Sequence, residues 1–173
     1  MLLQGKYISL RALEPEDLEF LYRIENDSQF WEVSHTQTPF SKFLLKQYLE
    51  NSHQDIYESK QLRLMIVDKE NEQSLGMIDL FDFNPQHQRA GIGILIDADF
   101  QQKGYAGDAL NTLVQYCFSV LHLHQLYANI TPDNTKSIQL FEKIGFQLTG
   151  EKKDWLLVDG AYKNELIFQL IHE

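Results

Sequence analysis

Residues 94–107 read Ile-Leu-Ile-Asp-Ala-Asp-Phe-Gln-Gln-Lys-Gly-Tyr-Ala-Gly and lead directly into a long amphipathic stretch. The order is apolar strand, glycine bend, helix start. Such a bend turns several main-chain N–H groups toward one point, and the first turn of the helix adds roughly half a positive charge there. The chemistry on offer is anion binding, phosphate above all, without a cluster of cationic side chains. Two common phosphate devices do not fit. Gly104 is not followed by Lys and Ser or Thr, as a P-loop requires, and Gly91-Ile92-Gly93 lacks the third glycine of the dinucleotide fingerprint because Ile96 stands there. Gly91 and Gly93 share a strand face with Leu95, while Ile92, Ile94 and Ile96 fill the other. A strand face stripped of side chains implies that a helix or a ligand approaches its backbone closely.

The bend has to be held by the elements around it. After it, Ala106, Ala109, Leu110, Leu113, Val114, Cys117, Phe118 and Leu121 step by three and four, which predicts a helix with one apolar stripe. Before it, residues 62–67, 75–83 and 88–96 read as three strands of an antiparallel meander, with polar turns at 68–74 and 84–87. Residues 126–130 form a short strand. Because a helix separates it from the strand ending at 96, the two are expected to be parallel neighbours. Residues 134–144 form a short helix stopped by Gly145. Two last strands, 147–157 and 162–170, are joined by a turn containing Asp159-Gly160. Upstream, 7–11 is a strand, and Glu14-Pro15-Glu16-Asp17 opens a helix whose inner face is Leu18, Leu21, Tyr22 and Glu25. Residues 26–40 read as loop with a short helical turn. Ser41 caps a further helix that buries Leu44, Leu45, Tyr48 and Leu49. The expected architecture is α/β (α+β): one domain over 1–173, with a mixed, mainly antiparallel sheet and helices on both faces.

A net charge of −10 argues against nucleic acid as a partner, because phosphate backbones need a basic face. It suits a cationic small molecule, and equally a surface that is simply kept soluble. The single cysteine, Cys117, excludes an internal disulfide and reads as a small buried hydrophobe on the helix stripe. No apolar run approaches the roughly 20 residues of a membrane span. Residues 1–6 are too short for a signal peptide, so a cytoplasmic location is expected. His122 and His124 lie at a helix end with no acid or cysteine cluster nearby in sequence, which favours a polar end role over a metal site.

Gln101-Gln102-Lys103-Gly104-Tyr105-Ala106, between strand and helix, resembles the Gln-x-x-Gly-x-Ala pyrophosphate loop of the GNAT superfamily of acetyl-CoA-dependent N-acetyltransferases. The run Asn134 to Phe146 is similar to that family's second cofactor segment, Asn-x-x-Ser/Ala-x-x-Leu-Tyr-x-x-x-Gly-Phe. Leu10-Arg11-Ala12-Leu13 with Glu16-Asp17-Leu18, and Asp159-Gly160-Ala161-Tyr162 before the last strand, resemble the branch of spermidine and ribosomal-protein N-terminal acetyltransferases. The resemblance runs in order over nearly the whole chain. It implies a splayed parallel strand pair with the pantetheine arm of acetyl-CoA between the strands. The backbone of Ile94, Leu95 and Ile96 would bond the arm's amides. The loop residues Gln101, Gln102, Lys103, Gly104, Tyr105, Ala106 and Gly107 would take the pyrophosphate, chiefly through main-chain N–H groups. Asn134 would hold the arm, and Ser137 and Phe141 would line the thioester end. Asn134 also fits a plain helix cap, and both roles can coexist. Lys103 either adds charge at the phosphates or is solvated. Pairing of copies through the final strands is also implied, so a homo-oligomer is possible.

The implied reaction is direct attack of a neutral amine on the thioester carbonyl, the acceptor being a small polyamine-like amine or a protein N-terminus. A primary amine titrating near 10.4 is protonated at pH 7, and deprotonating it costs about 4–5 kcal/mol, so a base is needed. The candidates are Glu32 in the early loop and Asp79 and Asp82 on one strand, with His35 and His87 behind them. Asp79 and Asp82 differ in parity, so one strand face cannot carry both; Asp79 shares its face with Met77 and Phe81. Two departures from the family pattern stand out. Phe141 occupies the place of a tyrosine that protonates the departing thiolate, and Gln37-Thr38-Pro39 replaces the Glu-Glu-Pro of spermidine acetyltransferases. A thiol of pKa near 8.5 needs only about 2 kcal/mol of help at pH 7, so transfer can survive the first. Without the hydroxyl, a CoA- or acetyl-CoA-binding regulator that transfers nothing is the other reading, and a purely structural domain is a third.

Overall fold

Strand-forming residues are densest between Leu62 and Ile96, and they build the centre of a seven-stranded sheet ordered β1-β2-β3-β4-β5-β7-β6 in the computed structural model. Residues 2–173 are described; Met1, where the leader reading starts, lies outside them. The strands are β1 (Ile8–Ala12), β2 (Leu62–Asp68), β3 (Ser74–Asn84), β4 (Arg89–Ile96), β5 (Gln125–Ile130), β6 (Gln147–Val158) and β7 (Ala161–Ile171). Every neighbouring pair is antiparallel except β4 and β5, which are parallel as their helical crossover requires.

Alternation along the strands separates two cores. Leu64 and Ile66 of β2 point to one face with Ile78, Ile92, Leu110 and Leu113, while Met65 and Val67 point to the other with Leu21, Ile24, Leu45 and Leu49. Helices α1 (Leu18–Glu25), α2 (Trp31–Ser34) and α3 (Lys42–Glu50) precede the meander; α1 and α3 cover this second face. A further turn, α4 (Ile56–Ser59), leads into β2. Helices α5 (Tyr105–Ser119) and α6 (Thr135–Ile144) serve the first face. Ser41 caps α3 through Leu44 N–H (3.1 Å), and Gly145 ends α6 at φ 115, as the sequence predicts. Cys117 is fully buried, and burial pushes its thiol up to about 12.

Three expectations change. Tyr22 is exposed rather than inward: its ring lies under the Lys42 ammonium (5.0 Å), and Ile24 takes the buried place. Leu44 is also exposed, because α3 buries the i, i+4 pair Leu45 and Leu49. The bare face at Gly91 is covered by a side chain of the neighbouring strand rather than by a helix. Phe81, its cross-strand partner, lays its ring there, so that a Cβ on Gly91 would stand 2.2 Å from Phe81 Cε2. The glycine exists to admit that ring, which meets Tyr127 edge-on at 5.8 Å.

Candidate active site

The parallel pair does not stay paired. Arg89, Ala90 and Gly91 face Gln125, Leu126 and Tyr127, and there the register ends. Beyond Gly91 the strands part, leaving the β5-facing edge of β4 without a partner strand while its other edge remains bonded to β3. The gap opens into a cleft of about 80 Å³. Its walls include Ile92, Gly93 and Ile94 from β4, Ala128 to Thr131 from β5 and beyond, and Glu32, Val33 and His35 from α2 and its cap. Asn134, Ser137 and Phe141 come from α6, Leu156 from β6 and Glu165 from β7.

At the far end of β4 the chain makes the expected bend. Gln102 (φ 62) and Gly104 (φ 84) are both left-handed, and Gly104 is the N-cap of α5. Gln101 braces the bend by donating from Nε2 to Ile96 O (3.0 Å). The amides from Gln102 to Gly107 find no main-chain acceptor among the described residues. They are the unpaired donors of a helix start, aimed with its dipole. Asp108 would oppose an anion here, but its carboxylate is turned aside to accept from Lys6, Tyr7 and Ile8 N–H at 2.9, 2.7 and 3.1 Å. Lys103 is exposed with its ammonium 5.6 Å from the Phe100 ring centre.

Asn134 acts as the cap of α6, accepting from Ser137 N–H (3.3 Å) while facing the cleft. Phe141 also faces the cleft and packs edge-on against Phe146 (5.0 Å). Of the three β4 residues whose backbone is expected at the arm, Ile94 lines the cleft beside Ile92 and Gly93, while Leu95 and Ile96 turn their side chains into the two cores.

A family model for the acetyltransferase (GNAT) domain matches residues 8–147. The chain belongs to the GNAT acetyltransferase family. It is therefore an acetyl-CoA-dependent N-acetyltransferase, and its free amides and parted strands fit that ligand's pyrophosphate and pantetheine arm. Spermidine N(1)-acetyltransferase of Escherichia coli K12 is 30% identical over 168 residues, covering 94% of this chain and 86% of that protein. The ribosomal protein uS5-alanine N-acetyltransferase of the same organism is 33% identical over 79 residues, 46% of this chain and 41% of that one. Among solved structures, Vibrio cholerae spermidine N-acetyltransferase with CoA and spermine superposes with a TM-score of 0.87 at 26% identity, over 96% of both chains.

The rest of this cleft carries several charges. Glu32 lines it and accepts from Lys163 Nζ (2.5 Å), which also donates to Asp133 (2.7 Å). Beside Asp133 and then Glu32, the Lys163 ammonium is held charged well above the ordinary lysine range. Hydrogen bonds from Lys163 and Thr131 hold the Asp133 carboxyl below the usual carboxylate range. Glu165, 5% exposed, faces the cleft from β7 and is paired with Lys152 of β6 at 3.1 Å. Sequence reasoning singled out neither Glu165, Asp133 nor the two lysines; only the i, i+2 spacing of Lys163 and Glu165 on one strand hinted that they share a face.

Of the other candidate bases, Asp79, Asp82 and His87 stand elsewhere and His35 lines the cleft. Asp79 is gripped by Arg63 in a two-bond fork (2.8 and 2.9 Å), and Arg63 also donates to Glu25 (2.7 Å). Arg63 and Asp79 border a separate hollow of about 150 Å³ with Tyr48, Gln61 and Phe81. Asp82 accepts from the Tyr127 hydroxyl (3.2 Å), and His87 lies in the β3–β4 turn, its amide donating to Asn84 (2.9 Å). His35 lines the cleft at the left-handed end of α2 (φ 57). No tyrosine lines the cleft among the described residues; its side-chain hydroxyls are those of Thr131 and Ser137. His122 and His124 belong to no group of three ligating side chains among the described residues, and no helix there is long and apolar enough to cross a membrane.

Proposed function

We propose that this enzyme acetylates a primary amine of a small polycation of the polyamine class, with Glu32 as the carboxylate that faces the acceptor. The observation that carries this is the cleft itself, where Glu32 and the cofactor-side residues Ile94, Asn134, Ser137 and Phe141 share one wall-to-wall space. A protein N-terminus is the lesser reading: the relative acting on spermidine matches 94% of the chain, the one acting on a ribosomal protein 46%.

Bound acetyl-CoA supplies the acetyl group as a thioester. The splayed edge of β4 and the amides 102–107 hold the cofactor's arm and pyrophosphate, Asn134 bonds the arm, and Ser137 and Phe141 bound the thioester end. An arriving ammonium must lose a proton before its nitrogen can attack, and Glu32 takes that proton through water. The side chains of Gln101 and Tyr105 are engaged with Ile96 O and Asp68 rather than with the phosphates, and Lys103 adds a diffuse positive charge. Asp79, locked in its fork, supports the sheet. A homo-oligomer in a cytoplasmic setting completes the proposal; the exposed Leu148, Trp155, Leu157 and Tyr162 on the β6–β7 hairpin give a second copy an apolar edge to cover.

The test is an amine panel read by mass spectrometry and free-thiol release, with spermidine, n-butylamine and a peptide bearing a free N-terminal alanine. Acetyl-spermidine is the expected main product. Glu32→Gln should lower kcat/KM for spermidine by roughly 10²-fold while leaving CoA affinity in calorimetry unchanged. Transfer to the peptide alone would overturn the polyamine reading. CoA binding without thiol release for any amine would favour the non-catalytic regulator.

A further inference from the structure

Although the protein carries a net charge of −10, neither carboxylate in the cleft is free. Lys152 holds Glu165, and Lys163 holds Glu32 together with Asp133. A cationic acceptor entering the cleft therefore meets acids already neutralised by the protein's own ammonium groups. It can take the Glu32 and Asp133 oxygens that Lys163 holds only by displacing that lysine.

The two pairs differ in how easily they give way. Glu165 and Lys152 have side chains 7% and 29% exposed, so breaking that pair strands a buried charge. Lys163 lies at the rim: its partners Glu32 and Asp133 are 39% and 60% exposed. Exposed ion pairs are weak, and a lysine ammonium is a point charge on a flexible stem. Exchanging it for another primary ammonium leaves the count of charges and hydrogen bonds unchanged. The segment it fastens is equally light, since α2 is only four residues long.

We propose that Lys163 is a built-in competitor of the acceptor, which occupies the place of a substrate ammonium, gives up Glu32 alone to a monoamine and is displaced from both Glu32 and Asp133 by a polycation. Glu32 lines the cleft and meets the amine to be acetylated. Asp133, just outside, meets a second charge on the same molecule. A monoamine can replace Lys163 at Glu32 but leaves Asp133 to it. The lysine is not itself an acceptor, because it is held protonated. This inference rests on the reading of the acceptor as a polyamine.

The experiment compares wild type, Lys163→Gln and Lys163→Arg, each loaded with CoA for calorimetric titration with spermidine and with acetyl-CoA for kinetics on spermidine and n-butylamine. Removing the competitor should tighten spermidine binding and lower its KM about fivefold, with less than a twofold change for n-butylamine. Lys163→Arg, which keeps the cation, should keep the wild-type ratio of the two KM values. If Lys163 is merely a strut between α2 and the loop before Asn134, Lys163→Gln will raise both KM values and weaken CoA binding, and the inference fails. Equal KM changes for both amines, or none, also overturn it. Wild type that binds spermidine without acetylating it would defeat the proposed function but leave the binding comparison decisive.

Discussion

The two halves of the cleft are built from different materials. The cofactor half is main chain: an unpaired strand edge after Gly91, two left-handed residues at 102 and 104, and the amides that open α5. The acceptor half is side chain: Glu32, Asp133, Lys152, Lys163 and Glu165, drawn from α2, the β5–α6 loop, β6 and β7 and paired among themselves. A main-chain site depends on local geometry and can keep one ligand while the surface around it changes. A side-chain site is set by whichever charges the fold brings together, so it is free to differ between relatives.

The sharpest break in that comparison concerns Asp79, an acid at the separate hollow that the proposed mechanism leaves out of both halves. Arg63, with a side chain 28% exposed, is the hub between Asp79 and Glu25. Arg63→Met leaves two acids facing each other and should destabilise the fold by about 3 kcal/mol, the low end for buried pairs because these groups are partly exposed. That corresponds to a fall in Tm of roughly 6–12 °C for a domain of this size. Asp79→Asn should lower Tm by less and leave kcat/KM for spermidine within about twofold. Loss of turnover in Asp79→Asn with an unchanged melting curve would move Asp79 into the chemistry.

The main-chain half is tested at Gly104. A Cβ there would meet nothing within 4 Å, so any harm must come from the backbone angle, φ 84. A β-branched residue pays about 1–3 kcal/mol to sit in that region, whereas asparagine tolerates it. Gly104→Val should weaken CoA binding in calorimetry by roughly 30-fold, and Gly104→Asn by about threefold or less. Equal losses would mean that the amides are blocked by any side chain rather than misaligned by a strained turn.

What could be foreseen follows the same division. The meander, the parallel step from β4 to β5, α5 and the caps at Ser41, Asn134 and Gly145 were all readable, because periodicity and capping are written in consecutive residues. The short α4 was not: its one turn hangs on Asp55, which accepts from Tyr57 and Glu58 N–H at 2.8 and 2.9 Å, and four residues show no period. Tyr22 and Leu44 went to the wrong face because a three-four step fixes a stripe but not its rotation about the helix. Gly91 suggested a close approach, yet only the register of β3 on β4 names Phe81 as the visitor. Glu165 and Lys163 look like ordinary strand charges until β5 ends and opens the gap beside them. Glu32 could be nominated but not the cation that holds it, because the partner lies 131 residues away.

Phe141 sits where the halves meet, and its effect is the smallest and most informative. In the proposed mechanism Phe141 offers no hydroxyl to protonate the departing thiolate. With a thiol pKa near 8.5 that omission is worth about 2 kcal/mol at pH 7, which caps any gain from restoring an acid at about 30-fold. Phe141→Tyr should therefore raise kcat by roughly tenfold, with CoA affinity little changed. The ring is 3% exposed and wedged against Phe146, so the direction of its para position decides the outcome. If the new hydroxyl reaches the cleft, kcat rises and Tm holds. If it is driven into the core, an unsatisfied hydroxyl costs about 1–3 kcal/mol, Tm falls and kcat stays where it was. The second result would show that Phe141 belongs to the packing under α6 rather than to the chemistry.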